Sequence, residues 1–334
     1  VVAPLTAITY ERKSSMPILD FPLEELREYS GINPKPDDFD EFWEEAIREM
    51  LQTPHRVELV PAGFQTDFAQ CFHLYFDGTG GSRIYAKYLR PAQRKGKCPV
   101  IFKFHGYSVD SGDWFDKLGY VAAGFCVAAL DCRGQGGISE DMGRTKGTTF
   151  KCHFIRGLDG DPRDMLFRHV FLDTAKLADI VLSFPEIDEN RAGATGASQG
   201  GALTVVCAAL EPRIRKLAPV YPFLSDYKRV WEMDLDVEAY EELRYYFRRF
   251  DPLHEREEEI FTRLGYIDIQ HLAPRVKGET LWTVGLMDTI CPPSTQFAAY
   301  NKIKSKKDML IYPDFGHEHI RGLADRIYSF FMDL

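Results

Sequence analysis

Residues 191–210 run Arg-Ala-Gly-Ala-Thr-Gly-Ala-Ser-Gln-Gly-Gly-Ala-Leu-Thr-Val-Val-Cys-Ala-Ala-Leu. Residues 191–195 predict a strand, 198–210 predict a helix, and Gly196-Ala197-Ser198-Gln199-Gly200-Gly201 joins them. A Gly-x-Ser-x-Gly string is common, but between a strand and a helix it acquires a mechanism. The glycines are expected to allow a sharp turn that lifts the Ser198 hydroxyl above the sheet. A helix N-terminus behind it favours developing negative charge. The competing account, a glycine-rich helix start in which Ser198 merely caps, leaves the preceding strand unexplained.

A serine hydroxyl is a poor nucleophile near neutral pH, so it needs a positioned base whose tautomer is fixed by an acid. In the chain order serine, acid, histidine, two later strand ends supply the partners. The strand expected at 279–285 runs into Leu286-Met287-Asp288, 90 residues after Ser198. The strand expected at 308–312 ends in Pro313-Asp314-Phe315-Gly316-His317-Glu318, with His317 29 residues beyond Asp288 and Gly316 letting the chain turn. Asp314 competes as the acid but shares the base's own loop. His319 competes as the base but falls on the opposite side of an extended loop or inside the next helix. Acyl transfer also needs donors aimed at an oxyanion, one N–H just after the nucleophile and one from the loop after an early strand. Gln199 supplies the first, and Tyr107 in His105-Gly106-Tyr107-Ser108 supplies the second, with its ring available to wall a substrate pocket.

Outward from this core, the rest of the chain alternates as a parallel α/β sheet does. Near-continuous apolar runs at 99–104 and 125–130 suit strands covered on both faces, with a short helix near 114–123 between them. Residues 71–76 and 83–89, separated by Asp77-Gly78 and Gly80-Gly81, open the sheet in antiparallel fashion. Asp161 and Pro162 read as cap and first-turn proline of a long helix carrying Met165, Leu166, His169, Leu172, Lys176 and Ile180. A further strand is expected at 216–221, and the chain closes with a helix ending near Phe331. Asp37 and Asp38 precede a helical run whose Phe39, Phe42, Trp43, Ala46, Ile47 and Met50 share one face, for packing on the domain or on a sister subunit.

These elements predict one α/β domain over residues 16–334, with an N-terminal arm at 16–55 and a helical insertion at 222–275. Residues 1–15 read as a tag or disordered extension, and Met16 as a native start. A chain of 334 residues invites a two-domain count, but the serine and its partners straddle the insertion, so a boundary there would divide one sheet.

With 41 basic against 50 acidic side chains the formal charge is −9, which disfavours nucleic acid and anionic membrane surfaces and suits an uncharged substrate. No apolar run is long enough to span a bilayer. Seven scattered cysteines without a C-x-x-C pair fit buried thiols in a cytoplasmic protein. No cofactor and no metal is expected: His317-Glu318-His319 lacks the spacing of zinc hydrolases. Arg133-Gly134-Gln135-Gly136-Gly137 misses the third glycine of a dinucleotide loop, where Ser139 stands, and Asp159-Gly160-Asp161 continues into Pro162 and Arg163 rather than calcium ligands. Both read as structural turns.

Taken with Phe39 to Trp43 in the arm, several of these motifs occur in the order of one known group. Asp131-x-Arg133-Gly134-Gln135-Gly136, Gly196-x-Ser198-Gln199-Gly200-Gly201, His317-Glu318, His105-Gly106-Tyr107 and the run from Gly285-Leu286-Met287-Asp288 to Cys291-Pro292-Pro293-Ser294 resemble the acetyl xylan esterase and cephalosporin C deacetylase family, carbohydrate esterase family seven. The likeness extends from about Phe21 to the C-terminus, with Ala197 where members often carry glycine. It implies an α/β-hydrolase fold, a nucleophile at Ser198, an acid at Asp288, a base at His317 and oxyanion donors at Tyr107 and Gln199. It further implies a homohexamer with sites facing an interior cavity and a preference for acetyl groups. The expected substrates are acetylated xylo-oligosaccharides, with cephalosporin C, an antibiotic ester, as a second. A broader carboxylesterase or a peptidase-like hydrolase is the alternative on the same fold.

Overall fold

A computed structural model describes residues 19–143 and 153–334. The reading of residues 1–15 as an extension and of Met16 as a start lies outside the described residues, as does Cys152. The chain begins with the arm helices α1 (Leu23–Glu28) and α2 (Phe39–Gln52). Then come β1 (Glu58–Pro61), β2 (Ala69–Asp77), β3 (Arg83–Pro91), β4 (Cys98–Phe104), α3 (Leu118–Ala122), β5 (Cys126–Leu130), α4 (Leu166–Leu182), β6 (Ile187–Ala197), α5 (Gln199–Leu210) and β7 (Ile214–Val220). Helices α6 (Tyr227–Glu232), α7 (Glu241–Phe250), α8 (Glu257–Leu264) and α9 (Ile269–Leu272) precede β8 (Glu279–Gly285), α10 (Pro293–Tyr300), β9 (Lys307–Tyr312) and α11 (Leu323–Phe331).

The described strands form one sheet in the order β1-β2-β3-β5-β4-β6-β7-β8-β9. The first three strands are antiparallel, as the Gly-rich turns at 77–81 require, and from β5 onward neighbours run parallel. This is the mostly parallel, helix-flanked sheet of the α/β-hydrolase fold. β4 and β5 sit centrally because both faces of these apolar runs are covered. Val100 and Phe102 join the large core with α4, α5, the arm and the helices after β7, whereas Ile101 on the other face packs with Phe125 and the α11 residues Leu323, Ile327 and Phe331.

Two helix starts differ from expectation. Asp161 caps only a 3₁₀ turn, Pro162–Asp164, by accepting from the Arg163 N–H. The Leu166 N–H then donates to Arg156 O, which ends that turn and sets α4 off after an extended Met165. Asp38 makes no cap for α2, since its carboxylate accepts from the Tyr266 hydroxyl instead. The apolar face of α2 is as read, with Phe39, Phe42, Trp43, Ala46 and Met50 buried in the main core.

Sheet register positions the functional end. Phe104 of β4 lies beside both Leu130 and Gly196, Ala197 of β6 beside Val220, and Gly285 of β8 beside Tyr312. The carboxyl ends therefore emerge on one edge. After β4 the chain steps to β5 on one side, then returns to place β6 on the other, and ligands bind at such a switch point outside the strand ends. The loop after β4 and the turn after β6 face one another there.

Candidate active site

Ser198 stands alone between the last residue of β6 and the first of α5, at φ 58° and ψ −120°. This left-handed backbone at a non-glycine residue is a local strain of the kind found at functional turns. The neighbouring glycines serve a different purpose from the one expected. Gly196, Gly200 and Gly201 are not left-handed; a Cβ on them would lie 2.5 Å from Phe104 O, 2.1 Å from Phe104 O and 2.7 Å from Val220 O respectively. They let the start of α5 press against the ends of β4 and β7, and Ser198 itself carries the sharp turn.

His317 and Asp288 meet across the loops after β9 and β8. His317 Nδ1 lies 2.9 Å from Asp288 Oδ2, and the other carboxylate oxygen accepts from the N–H groups of Ile290 at 2.9 Å and Cys291 at 2.8 Å. Asp288 is fully buried, and the imidazole stands against the Tyr221 ring with centroids 4.6 Å apart. Leu286 and Met287 N–H donate to Tyr312 O and Phe315 O, which pins the two loops together. Gly316 is not left-handed; a Cβ there would come within 3.1 Å of Met287 O, so its lack of a side chain lets the two loops approach closely. Asp314 and His319 are both exposed, away from this pair.

Ser198 and His317 line one cavity of about 670 Å³ with Gly106, Tyr107, Val109 and Ile290. The Ser198 hydroxyl lies beside the Cys291 thiol, and among the described residues no hydrogen bond joins it to His317. Such contacts tighten on substrate binding. Burial and the neighbouring Asp288 hold the Cys291 thiol well above its usual range, so it remains protonated and weakly nucleophilic. Donor atoms of Asp288, Cys291 and His317 fall within 4.8 Å of one another, but the first and last already satisfy each other as a hydrogen-bonded pair.

The expected oxyanion donors are brought together at the same edge. Among the described residues the N–H groups of Tyr107 and Gln199 have no protein acceptor, whereas the Ser108 N–H donates to Gln135 Oε1 at 3.0 Å. Gln135 and Gln199 exchange side-chain amide hydrogen bonds of 2.8 and 3.1 Å. His105, read as a loop-shaping residue, accepts the Cys132 N–H on Nε2 at 2.9 Å. The Arg133 motif thereby acquires an account. Arg133 is buried in a two-pronged pair with Asp173, both contacts 2.7 Å, and also donates to Thr79 O, while Gln135 ties the loop after β4 to α5.

The outer wall was not foreseen. Glu238 and Ala239 before α7, with Glu241, Glu242 and Tyr245 on it, line the same cavity as Ser198. Glu242 accepts from the Tyr107 hydroxyl and from the N–H groups of His153, Phe154 and Ile155. Its burial pushes the carboxyl up to about 7, against the opposing pull of those hydrogen bonds.

Fold and cavity together define an α/β-hydrolase whose strand-to-helix serine shares a cavity with a histidine held by a buried carboxylate. The chain belongs to the acetyl xylan esterase (AXE1) family, a family of carboxylic ester hydrolases, whose model matches residues 16–334. It is similar to the crystal structure of acetyl xylan esterase 1 from a Thermoanaerobacterium species, with 58% identity, TM-score 0.92, and coverage of 94% of this chain and 99% of that one. An acetyl xylan esterase from a Paenibacillus species is 32% identical, TM-score 0.89, over the same shares of the two chains. An acetyl esterase of Xylanibacter ruminicola is 27% identical over 83% of this chain, which spans 62% of that relative's length.

Proposed function

We propose that the protein removes acetyl groups from small O-acetylated substrates through an acetyl-enzyme. The observation that carries this reading is the His317–Asp288 pair opening onto the same cavity as a serine on a strained strand-to-helix turn. In the proposed cycle Ser198 attacks the acetyl carbonyl carbon while His317 takes its proton. Asp288 holds the imidazole in the tautomer that leaves the far nitrogen free to accept. The Tyr107 and Gln199 N–H groups stabilise the oxyanion, and the Tyr107 ring walls the substrate pocket. Collapse expels the sugar hydroxyl with the proton from His317, and water then releases acetate by the same steps.

Acetylated xylo-oligosaccharides are the proposed substrates, supported by the acetyl xylan esterases to which the chain is similar. Cephalosporin C is the second substrate of the proposal. Acetate release from oligosaccharides, polymeric acetylxylan and cephalosporin C separates these, and profiling with acetyl, butyryl and octanoyl esters separates a deacetylase from a broader carboxylesterase. Ser198→Ala is expected to lower kcat by several orders of magnitude with the fold retained; near-normal turnover by that variant refutes the mechanism.

A homohexamer is part of the proposal, and a monomer-sized particle in light scattering at working concentration overturns it. We read the compartment as cytoplasmic, a reading supported by six free, buried cysteines among the described residues. None of the described helices is long and apolar enough to cross a membrane.

A further inference from the structure

The loop after β4 carries the proposed oxyanion donor at Tyr107, yet its own backbone is poorly suited to hold one position. Gly106 has no side chain to anchor, and Ser108 lies in the left-handed region at φ 60°, a conformation that a serine keeps only when its surroundings impose it. The restraint on this loop comes from outside it. Ser108 is tied twice, by its N–H to Gln135 and by its hydroxyl to His153 Nε2 at 3.0 Å. The Gly106 carbonyl, in the same peptide unit as the Tyr107 N–H, accepts from His105 Nδ1 at 2.7 Å and Gln199 Nε2 at 3.2 Å, and the Tyr107 side chain is tied through the far end of its ring.

That ring is a stiff lever. It stacks on Phe167 with planes 11° apart and meets the rings of Phe223 and His153 edge-on at 5.2 and 5.0 Å. Two torsions connect the phenol to the backbone, so fixing the hydroxyl while the ring is clamped also fixes Cα and the amide beside it. The hydroxyl donates to Glu242, and the Phe154 N–H donates back to the phenol oxygen at 3.3 Å. Glu242 is 4% exposed, and both its oxygens are engaged. Oε1 accepts from Tyr107 and His153, and Oε2 from His153, Phe154 and Ile155. One side chain from α7 thus joins the oxyanion loop to residues 153–155.

We propose that Glu242 is the positioning residue of the oxyanion loop: by holding the Tyr107 hydroxyl against a fixed backbone cradle, it keeps the Tyr107 N–H where it donates to the tetrahedral intermediate. The inference rests on the proposed role of the Tyr107 N–H. It assigns to the helices between β7 and β8 a part in the chemistry as well as in the cavity wall. Although Glu242 borders the cavity, both its oxygens are taken by Tyr107 and residues 153–155. It acts through Tyr107.

Glu242→Gln assayed at about pH 8, above the value of about 7 to which burial raises the carboxyl, tests this, because an amide then replaces one all-acceptor oxygen with an NH₂ that faces donors and cannot receive them. The transition state loses a well-aimed donor while the ground-state carbonyl loses little, so kcat for an acetyl ester is expected to fall about 10- to 100-fold with KM changed less than about threefold. The ceiling is the hundredfold to thousandfold cost of deleting such a donor outright. Tyr107→Phe removes the hydroxyl but leaves Glu242 its three backbone partners, and should lower kcat similarly. The double variant should be no worse than the poorer single one, as for two residues in one linkage. Binding of a trifluoromethyl ketone analogue should weaken by the same factor as kcat/KM.

Both variants within twofold of the parent, a change confined to KM, or full additivity in the double variant overturns the proposal. Should Glu242→Gln fail to fold by circular dichroism, Tyr107→Phe decides alone, and normal turnover by it is a refutation. Failure of the underlying reading is separable, since turnover by Ser198→Ala refutes the serine mechanism whatever Glu242 does.

Discussion

Asp288 uses its two oxygens differently: one accepts two backbone N–H groups of its own loop, and the other faces His317. The carboxylate is therefore held rigid before it orients the imidazole. Asp288→Asn keeps the shape but presents either a neutral oxygen or an NH₂ to Nδ1, and the second choice turns the ring's accepting nitrogen away from Ser198. We expect kcat to fall roughly 10³- to 10⁴-fold with KM nearly unchanged, measured on a soluble acetyl ester. Asp288, His317 and Ser198 were legible in the sequence because each follows a strand end and strand ends have a composition. Glu242 was not. In the run Glu241-Glu242-Leu243-Arg244 it looks like an ordinary acid in a helix first turn, where the dipole favours one. Its partners at 107 and 153–155 are remote in sequence and approach it only through the tertiary fold. Cys291 gave equally little notice, since its place beside Ser198 depends on the Asp288 loop folding back.

Among the elements, the arm shows what periodicity can and cannot supply. The spacing of Phe39, Phe42, Trp43, Ala46 and Met50 announces a buried face, and α2 buries it against α4 and the helices after β7. Trp43 stacks on Phe171 of α4 at 5.8 Å and donates from Nε1 to Tyr266 O at 3.0 Å. Trp43→Ala should therefore cost about 3–5 kcal/mol of stability, read as a lower urea midpoint, because it opens a cavity and strands a carbonyl together. The cap of α2 was misread because an aspartate before a helix has other suitors, and a tyrosine hydroxyl engages Asp38 instead. The same competition hides the anchor of the arm. Asp226, itself left-handed at φ 50°, accepts from the Tyr29 hydroxyl and the Ile32 and Asn33 N–H groups, while its own N–H donates to buried Asp268. Nothing in the local sequence of either aspartate marks it as a tie between segments almost 200 residues apart.

At the scale of the molecule, we propose that arm, sheet and insertion unfold as one unit, since a single apolar core contains residues of all three and β7 pairs directly with β8 across the insertion. One cooperative urea transition is then expected, and its pH dependence follows from opposing groups. Burial holds His153 down to about 4 and His169 and His271 to about 3, so these rings stay neutral when folded but bind protons in the unfolded chain below about 6.5. Stability from them is present above that value and is lost on acidification. Glu242 and Asp268, both raised to about 7 by burial, act in the other direction. Folded, they keep protons that the unfolded chain releases above about 4.5, so their contribution is complete at low pH and disappears as pH rises through about 7. Between pH 5 and 6.5 the neutral buried histidines and the protonated buried carboxyls therefore pull the stability in opposite directions. The groups facing Glu242 are Tyr107, Tyr227 and His153, with Arg156 and Asp141 acting on the last of these. Glu242→Gln removes one of the two opposing carboxyls. The slope of unfolding free energy against pH should then rise by up to about 1.4 kcal/mol per pH unit over this window, the effect of one proton, measured by urea titration at half-unit steps. An unchanged slope would show that the Glu242 carboxyl is already ionised throughout the window and that the cradle of N–H groups outweighs its burial.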